Sequence, residues 1–351
     1  MKLIKIIPLT KILFINTILL IIAFSNTFAG DPIEFGKEFA LFTSKNAQGY
    51  FKPLFTTLGE SFNTNLYTNA KHQKRWTFGM DISIMGMFIP GSQKNFDAEL
   101  PEKYGYTDIT QTAEMRDGVT YKNVKSYNQQ PTIYGGISTP VFSAPQNLNG
   151  PDTIYKSVAF AEGNDISFMS GLPTIQLIFG FPTRTQLRVR FLTAPINNEP
   201  LYYFAFNVSH EMSQYFNFFG LDTTYGISLN AAYHYFGRDP GISINSYSFG
   251  IHASKYITPE FLVYAGLQYE GLSGEFEAVR KGWSPSDTKN SPYKEIRDGE
   301  NLKFDIDSFT SIRFLAGLSY RLSILEFHAD AAYASQPVLS IGMSIWFASF
   351  K

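Results

Sequence analysis

The sequence predicts an all-β fold: a transmembrane, antiparallel, up-and-down β-barrel of ten to twelve strands, with a short N-terminal helical segment. Three observations predict it. From residue 76 onward, apolar and polar residues alternate in ten segments. The strands that they predict run about ten to fifteen residues, longer than the roughly five or six usual in soluble sheets. Aromatic residues gather at both ends of the apolar faces. The chain also begins with an export signal, and no later stretch of 18 residues is apolar throughout.

The composition of the chain excludes several classes of function. The chain has 351 residues, with 29 Lys and Arg against 30 Asp and Glu, so its formal net charge is −1. This balance offers no basic surface to nucleic acid, and we predict no nucleic-acid partner. Charged residues make up 17%, below the roughly 25% of soluble domains, whereas aromatic residues reach 16%. Cysteine is absent, which excludes a disulfide scaffold, a thiolate zinc site and a cysteine nucleophile.

Residues 1–29 have the pattern of a cleaved secretory signal peptide. Three lysines among the first 11 residues precede the apolar run 12–24. The small residues Thr27 and Ala29 suit cleavage before Gly30. The apolar run is shorter than the roughly 20 residues that a spanning helix needs. We therefore expect export to a bacterial outer membrane, where outer-membrane lipid and the barrel assembly machinery are the expected partners.

Residues 30–75 do not alternate and form the predicted N-terminal helical or plug segment. Large apolar residues recur there at spacings of three and four, which predicts a short amphipathic helix with Pro53 in its first turn. These apolar residues are Phe51, Leu54, Phe55, Leu58 and Phe62. The helix could plug the lumen of the barrel or lie against its periplasmic mouth, and the sequence leaves both placements open.

Residues 76–351 are predicted to form the barrel. In its first segment Trp76, Met80 and Ile84 share one face, and Asp81 and Ser83 share the other. The alternating segments lie at 76–84, 174–181, 184–191, 202–209, 224–235, 246–254, 261–270, 311–321, 325–333 and 339–347. The tight connections FPTR, ITPE and RLS suit the periplasmic side, whereas 91–165 and 271–300 are predicted to be long extracellular segments. Within the first of these, GVTYKNV and PTIYGGI could form a hairpin or two further spanning strands, which leaves ten or twelve strands.

The aromatic residues fit two membrane girdles. Tyr225 and Tyr235 are ten residues apart on one face. At a strand tilt near 45° that separation is about 23 Å, close to the roughly 25 Å of an outer-membrane apolar band. One predicted girdle contains Trp76, Phe261, Tyr320 and Phe347, and the other contains Tyr202, Tyr233, Tyr269 and Tyr333. A soluble β-sandwich would alternate as well, but long strands with aromatic girdles are not typical of one.

The strongest polar cluster is predicted on the lumen face of segment 184–191, which carries Arg184, Arg188 and Arg190. Cations inside a narrow barrel need carboxylates or an anionic ligand beside them. The candidate carboxylates on other lumen faces are Asp81, Glu270, Glu326 and Asp330. The cluster could brace the barrel through ion pairs or bind a carboxylate or phosphate group, and bracing is the preferred interpretation.

Glu326, His328 and Asp330 fall at alternate positions of one segment, with neighbouring side chains roughly 6.6 Å apart. That spacing is too wide for one ion, so we favour pairing with lumen cations and predict no metal and no cofactor. Ser209 and His210 are adjacent and should point to opposite faces of their strand. No G-x-S-x-G motif is present. We therefore predict no catalytic residues and no enzymatic activity.

Several segments resemble an uncharacterised family of Gram-negative outer-membrane β-barrels, classed as a domain of unknown function. They are YFKPLFTTLGESFNTNLYTNA, PTIYGGI, GLPTIQLIFGFPTRTQLRVRFLTAP and FAFNVSHEMSQYF, the last with His210 and Gln214 in the family's His-x-x-x-Gln pattern. The C-terminus departs from the usual barrel signal, because Lys351 follows Phe350 and the aromatic in phase with the lipid face is Phe347. The resemblance implies fold and location but no reaction. An N-terminal plug before a barrel is also similar in architecture to the fatty-acid channel family.

Taken together, these patterns predict an outer-membrane barrel that passes or binds a small hydrophobic or anionic solute. A structural or adhesive barrel without a transport role is the alternative. A membrane-barrel hydrolase is the third possibility, and it has the least support because no serine–histidine pair is visible in the sequence.

Overall fold

The computed structural model describes residues 42–99, 113–114, 120–121, 129–137, 141–143, 157–171, 173–196, 199–216, 224–238, 241–278, 294–297 and 302–350. The predicted signal peptide, residues 1–29, lies outside the described residues, as does much of the long connection predicted at 91–165. Within the described part of the chain, no helix combines the length and the apolar character needed to cross a membrane.

Ten long strands form one closed antiparallel barrel, as predicted. They are β1 (Trp76–Phe88), β2 (Thr174–Phe181), β3 (Thr185–Ile196), β4 (Glu199–Glu211), β5 (Tyr225–Arg238), β6 (Ile242–Tyr256), β7 (Phe261–Ala278), β8 (Leu302–Leu322), β9 (Leu325–Tyr333) and β10 (Pro337–Phe350). Each strand pairs with the next along the chain, and β1 also pairs with β10. A single closed sheet excludes the β-sandwich, and the number of barrel strands is ten rather than twelve.

The two ends of the barrel differ in their connections. At the turn end, where β1 begins and β10 ends, the connections 182–184, 257–260 and 323–324 are tight. At the loop end lie the long connections 89–173 and 279–301. The second of these begins later than the predicted 271, because β7 continues to Ala278 and pairs with β8 along that length.

Short elements occur within the loop-end connections. They are a 3-10 turn at Gly91–Gln93, a helical turn at Lys294–Arg297, and the strands Asn95–Asp97, Ala113–Glu114, Thr120–Tyr121, Gln129–Pro131, Val141–Ser143, Ser157–Ala159 and Phe168–Ser170. Phe168–Ser170 extends the pairing of β1 at the loop end. Where the structure describes them, the sequences GVTYKNV and PTIYGGI contribute to two of these short strands, and neither short strand joins the barrel sheet.

The alternation along the strands has the predicted phase. On β5, Leu229 is 47% exposed on the outer surface, whereas its neighbour Ser228 is completely buried inside. On β3, Phe191 is 64% exposed and Arg190 only 3%. All eight predicted girdle residues are exposed or half-buried, in agreement with an outward position. A closed barrel with an apolar outer band and a polar interior is the arrangement in which β-strands cross a bilayer.

The N-terminal helix α1 spans Ser44–Phe62, and Thr43 caps it by accepting a hydrogen bond from the Asn46 backbone amide at 3.2 Å. Because the helix begins at Ser44, the predicted position of Pro53 in the first turn is wrong, and this proline lies in the middle of the helix. The first two turns, SKNAQGY, carry no Leu, Ile, Val or Phe, so the apolar repeat that marked the helix in the sequence begins after them. Proline has no amide hydrogen, and one helical hydrogen bond is missing there.

Helix α1 lies inside the loop end of the barrel, and residues 63–75 run from it through the lumen to the start of β1. We call residues 44–75 the plug and residues 63–75 the lumen segment. The buried face of α1 packs against the loop-end parts of the strands and their connections through a cluster that includes Phe51, Phe55, Phe62, Ile244, Leu272, Leu302, Phe304 and Ile306. Of the two placements that the sequence left open, the structure has the one inside the lumen.

Candidate functional site: the plugged lumen

The plug is held from all sides by the inner wall of the barrel. Most of the lumen segment between residues 63 and 72 is buried, including Asn63, Asn65, Thr68 and His72. Its contacts descend the barrel in order. Asn63 donates to Ser246 on β6 at 3.1 Å, and near the turn end the His72 backbone amide donates to a Glu211 carboxylate oxygen on β4 at 2.9 Å. The segment is therefore anchored along its whole path.

The buried charge of Arg190 on β3 is compensated by backbone carbonyls of the plug, which the sequence analysis did not predict. Its guanidinium donates to three backbone carbonyls where α1 ends, those of Phe62 at 2.8 Å, Thr64 at 2.7 Å and Asn65 at 2.9 Å. The C-terminal end of a helix carries unpaired carbonyls and a partial negative charge, so a cation there is stabilising. A fourth bond goes to the Gln176 side-chain oxygen at 3.1 Å. Arg190 thus binds the plug itself and not a wall carboxylate.

Arg313 on β8 makes the strongest charged contact between wall and plug. It pairs with Glu270 on β7, and its Nη2 lies 2.7 Å from a Glu60 carboxylate oxygen on α1. All three side chains are buried. Burial raises the pKa of Glu60 above its ordinary value, while Arg313 opposes that rise and the second carboxylate, Glu270, adds to it. Glu60 was not a predicted site residue, although it is the one acidic residue of α1.

Asp81 on β1 is the centre of a hydrogen-bond network that joins four strands to the plug. It accepts from Asn65 of the plug at 2.7 Å, from Gln176 on β2 at 3.0 Å and from Ser344 on β10 at 2.6 Å. The His328 ring on β9 lies 2.7 Å from Oδ2 of Asp81, the oxygen to which Ser344 donates, whereas Asn65 and Gln176 donate to Oδ1. The predicted residues Asp81 and His328 are therefore brought together, but with each other rather than with an arginine.

The remaining predicted residues of β9 have separate partners. Glu326 pairs with Arg321 and also accepts from the Trp346 indole at 3.1 Å. Asp330 accepts from Ser340 at 2.7 Å and from Tyr264 at 3.2 Å. The described residues contain no cluster of ligands suited to a metal ion.

Arg184 is not on the lumen face of β3, where the sequence analysis placed it. It lies in the turn 182–184 with a φ of 55°, before β3 begins at Thr185. Its Nη1 lies 3.1 Å from a Glu211 carboxylate oxygen at the turn end. The sequence analysis extended the alternating pattern of β3 into a tight turn. Side chains in such a turn do not alternate between two faces as they do in a strand. Glu211 could have been found, because it continues the inward phase of Asn207 and Ser209.

Arg188 is the least satisfied of the predicted cations. Its Nε donates to Gln186 at 3.0 Å and its Nη2 to Thr68 of the plug at 3.2 Å. Neither partner is charged, and Nη1 has no partner among the described residues. None of the three predicted arginines is paired with a predicted carboxylate in the described contacts.

A serine–histidine contact forms between wall and plug that the sequence could not show. Ser209 Oγ lies 2.9 Å from His72 Nε2, and both side chains are buried. His210, the sequence neighbour of Ser209, points the other way and contacts Thr185 and Tyr215. The Ser209–His72 contact joins the plug to β4 and helps to hold the lumen segment.

The plug leaves little free space beside it. Cavities along the lumen segment measure about 10 Å³ next to residues 63–67 and about 30 Å³ next to residues 68–73. Small wall residues make this fit possible. A Cβ atom on Gly226 would collide with the backbone of Lys71, and one on Gly266 would collide with the Tyr67 hydroxyl. Along the described residues, the lumen wall is shaped to the segment that occupies it.

Comparisons with known proteins confirm the family. A model of the family of unknown function DUF6588 matches residues 4–347, so the chain belongs to that family. No curated protein matches the sequence. Among solved structures, the chain is similar to the COG4313 outer membrane channel from Pseudomonas putida F1, with 8% identity, 80% of this chain and 99% of that chain covered, and a TM-score of 0.36. It is also similar to OmpT, an outer membrane protein of Vibrio cholerae, with 9% identity, coverage of 80% and 100%, and a TM-score of 0.27. Ail, the attachment invasion locus protein of Yersinia pestis, has 10% identity, coverage of 78% and 98%, and a TM-score of 0.25.

Proposed function

We propose that this member of the DUF6588 family is an outer-membrane barrel that admits a small anionic solute when the lumen segment leaves its place. The proposal has three parts: the barrel lies in a membrane, its closure by the plug is reversible, and its opened lumen prefers anions. Each part is supported by a separate set of contacts. We propose no catalytic role, because the described charged side chains of the lumen are engaged either with the plug or with one another in the wall.

A change of pattern along β7 supports the membrane position. Up to Tyr269 the outward residues of this strand are apolar, but beyond it the outward residues Glu275 and Glu277 are charged and exposed. On the same stretch the inward residues Leu272 and Phe276 are apolar and pack on α1. The reversal is expected where the medium outside the barrel changes from hydrocarbon to water. It supports a membrane boundary near the tyrosine girdle, with the loop end, which has the longer connections, on the extracellular side.

The polar contact between the lumen segment and the wall supports the proposal that the barrel can open. Asn65 donates to Asp81 and to Ser83, and Asn69 donates to Tyr256. Water can replace such bonds when the segment leaves, so each contributes only about 0.5–1.5 kcal/mol net between neutral groups and about 1.5–3 kcal/mol where the acceptor is charged, as at Asp81. The exception is a small apolar contact around Leu66 and Tyr67. A barrel with a purely structural role has no need of a wettable interior filled by a separate piece of chain.

The preference for anions follows from what the wall would keep after the segment leaves. Arg190 would lose the Thr64 and Asn65 carbonyls and keep Gln176 and the Phe62 carbonyl at the end of α1. Arg188 would lose Thr68 and keep Gln186. Two neighbouring guanidinium groups would then face the lumen without a charged partner. Such groups favour carboxylate or phosphate.

The wall carboxylates would change less. Glu270 keeps Arg313 and Glu326 keeps Arg321, because both ion pairs lie within the wall. Asp330 keeps its two hydrogen bonds from wall residues. Asp81 would lose Asn65 and keep Gln176, Ser344 and the His328 ring. The opened interior is therefore polar, and Arg188 and Arg190 are its arginines without an ion-pair partner among the described residues. These two groups favour the anionic over the hydrophobic class of solute.

Single-channel conductance in planar bilayers tests the proposal. Asn65→Gly removes two bonds from plug to wall and leaves both arginines in place, so we expect openings about tenfold more frequent than in the wild type. Lys303→Gln, an exposed change at the loop end, is the control and should open as rarely as the wild type. In a KCl gradient, the reversal potential of Asn65→Gly should show preference for chloride, and adding Arg188→Gln should reduce that preference. Silent bilayers for all variants would favour a structural or adhesive barrel, and preference for potassium would contradict the anionic solute.

A further inference from the structure

The cavity of about 30 Å³ beside residues 68–73 is a candidate ligand site at the turn end of the lumen. It lies between the lumen segment and the wall, and its lining includes Thr68, Lys71, Gln186, Arg188, Arg321 and Glu326. Its volume is roughly twice what one water molecule needs. Two adjacent oxygen atoms, as in a carboxylate group, are a match for that space.

The charges around this cavity do not balance. Three cations line it, Lys71, Arg188 and Arg321, against one carboxylate, Glu326. That carboxylate is already neutralised, because it pairs with Arg321 and accepts from the Trp346 indole. Lys71 and Arg188 are left as the excess positive charge.

Arg188 determines which kind of ligand group would suit this cavity. Its side chain is only 2% exposed, and its Nη1 has no hydrogen-bond partner among the described residues. A buried guanidinium with an unused donor is costly unless an acceptor meets it, and a carboxylate is the acceptor whose geometry suits it best. The buried donor and the excess charge both lie at the cavity and call for the same kind of ligand.

We propose that this cavity binds the carboxylate group of a small solute, with Arg188 as the buried donor and Lys71 as the cation on the plug. The inference rests on the proposed function for its role, which is the first contact between solute and lumen segment. A carboxylate that accepts from both Nη1 and Nη2 of Arg188 would compete with Thr68 for Nη2 and weaken a bond that holds the segment. Binding would therefore favour release of the plug.

Formate is the smallest carboxylate and the probe of choice. With the full-length barrel in detergent micelles at constant ionic strength, ¹³C-formate should show saturable line broadening on titration with the wild-type protein. Lys71→Gln should weaken the formate Kd about fivefold, as expected for one partly exposed charge. Lys74→Gln is the matched control, since Lys74 lies on the same segment, is exposed and does not line the cavity. Its formate Kd should equal that of the wild type.

Arg188→Gln should weaken the formate Kd by tenfold or more, and Lys71→Gln covers the case in which this buried change prevents folding. Broadening that does not saturate, or an equal Kd for Lys71→Gln and Lys74→Gln, would overturn the site. Failure of this inference is distinguishable from failure of the proposed function. Anion-selective openings without formate binding would overturn the site alone, whereas formate binding to a barrel that never conducts would overturn the channel alone.

Discussion

The loop half and the turn half of the barrel interior hold the same piece of chain by different forces. At the loop end, α1 presents Phe51, Phe55 and Phe62 to an apolar lining that includes Leu272 and Phe304. At the turn end, the lumen segment meets the wall through amides, hydroxyls and charged groups. The apolar contact gains stability from excluding water, while the polar contact is nearly exchangeable with water. This contrast supports the proposal that the plug is fixed at one end and can be released at the other.

The cause of this difference lies on the outer surface of the barrel. Within the apolar outer band, the alternating side of each strand that faces inward is the polar one. Beyond the band the outer face is charged, as at Lys303 and Asp305 on β8, and the inward positions Phe304 and Ile306 are free to be apolar. One closed sheet therefore has a soluble-type core in one half and a polar lumen in the other.

Phe55→Ala removes a large side chain from the apolar contact at the loop end, and it should have the largest effect on stability. Phe55 is 3% exposed, and its ring centroid lies 6.2 Å from that of Phe304. We expect a loss of about 3–5 kcal/mol in the free energy of unfolding of the plug, measured by hydrogen exchange of the α1 amides in lipid vesicles. Leu58→Ala, at a half-buried position of the same helix, should cost clearly less. Equal effects at the two positions would mean that α1 is not packed in this way.

A second prediction locates the boundary between the halves from the outside. Leu229→Arg places a charge in the centre of the apolar band and should cost about 2–4 kcal/mol in guanidinium unfolding from lipid vesicles. Ser273→Arg places the same side chain on the outer side of β7 beyond Tyr269. It should lower the free energy of unfolding by less than about 1 kcal/mol. A Ser273→Arg cost as large as that of Leu229→Arg would place the membrane boundary nearer to the end of β7.

The phase of every barrel strand was predictable from the sequence, because alternation is a local property. One exposed Leu229 next to one buried Ser228 fixes the orientation of the whole strand. The girdles followed from the same local rule. The closure into ten strands was not decided, since GVTYKNV and PTIYGGI have strand-like composition and only the pairing excludes them from the barrel.

The partners of the lumen charges were not predictable, because each is set by contacts between distant parts of the chain. Arg313 meets Glu60 across a separation of 253 residues, and Arg190 meets the Phe62 carbonyl across 128. A backbone carbonyl has no signature in sequence, so the need of Arg190 for an acceptor was evident but the acceptor was not. The predicted carboxylates are instead used within the wall, as in the pair of Glu326 and Arg321.

The last prediction sharpens the polar half of the comparison at Asn65. This residue has a φ of 57°, and its side chain donates to Asp81 and Ser83 at 2.7 Å each. Asn65→Gly keeps the backbone conformation without strain and loses both bonds. We expect a cost of about 1–2 kcal/mol in the free energy of unfolding, because Asp81 retains three other partners.

Asn65→Ala loses the same bonds and must also adopt a left-handed conformation, which adds about 1–2 kcal/mol. The difference between the alanine and glycine variants measures backbone strain, and the glycine variant alone measures the hydrogen bonds. Both should increase the protease sensitivity of the lumen segment while hydrogen exchange of α1 stays slow, since the apolar half is untouched. If α1 exchanged as fast as the lumen segment in Asn65→Gly, the two halves would release together, and the plug would move as one body rather than opening from the turn end.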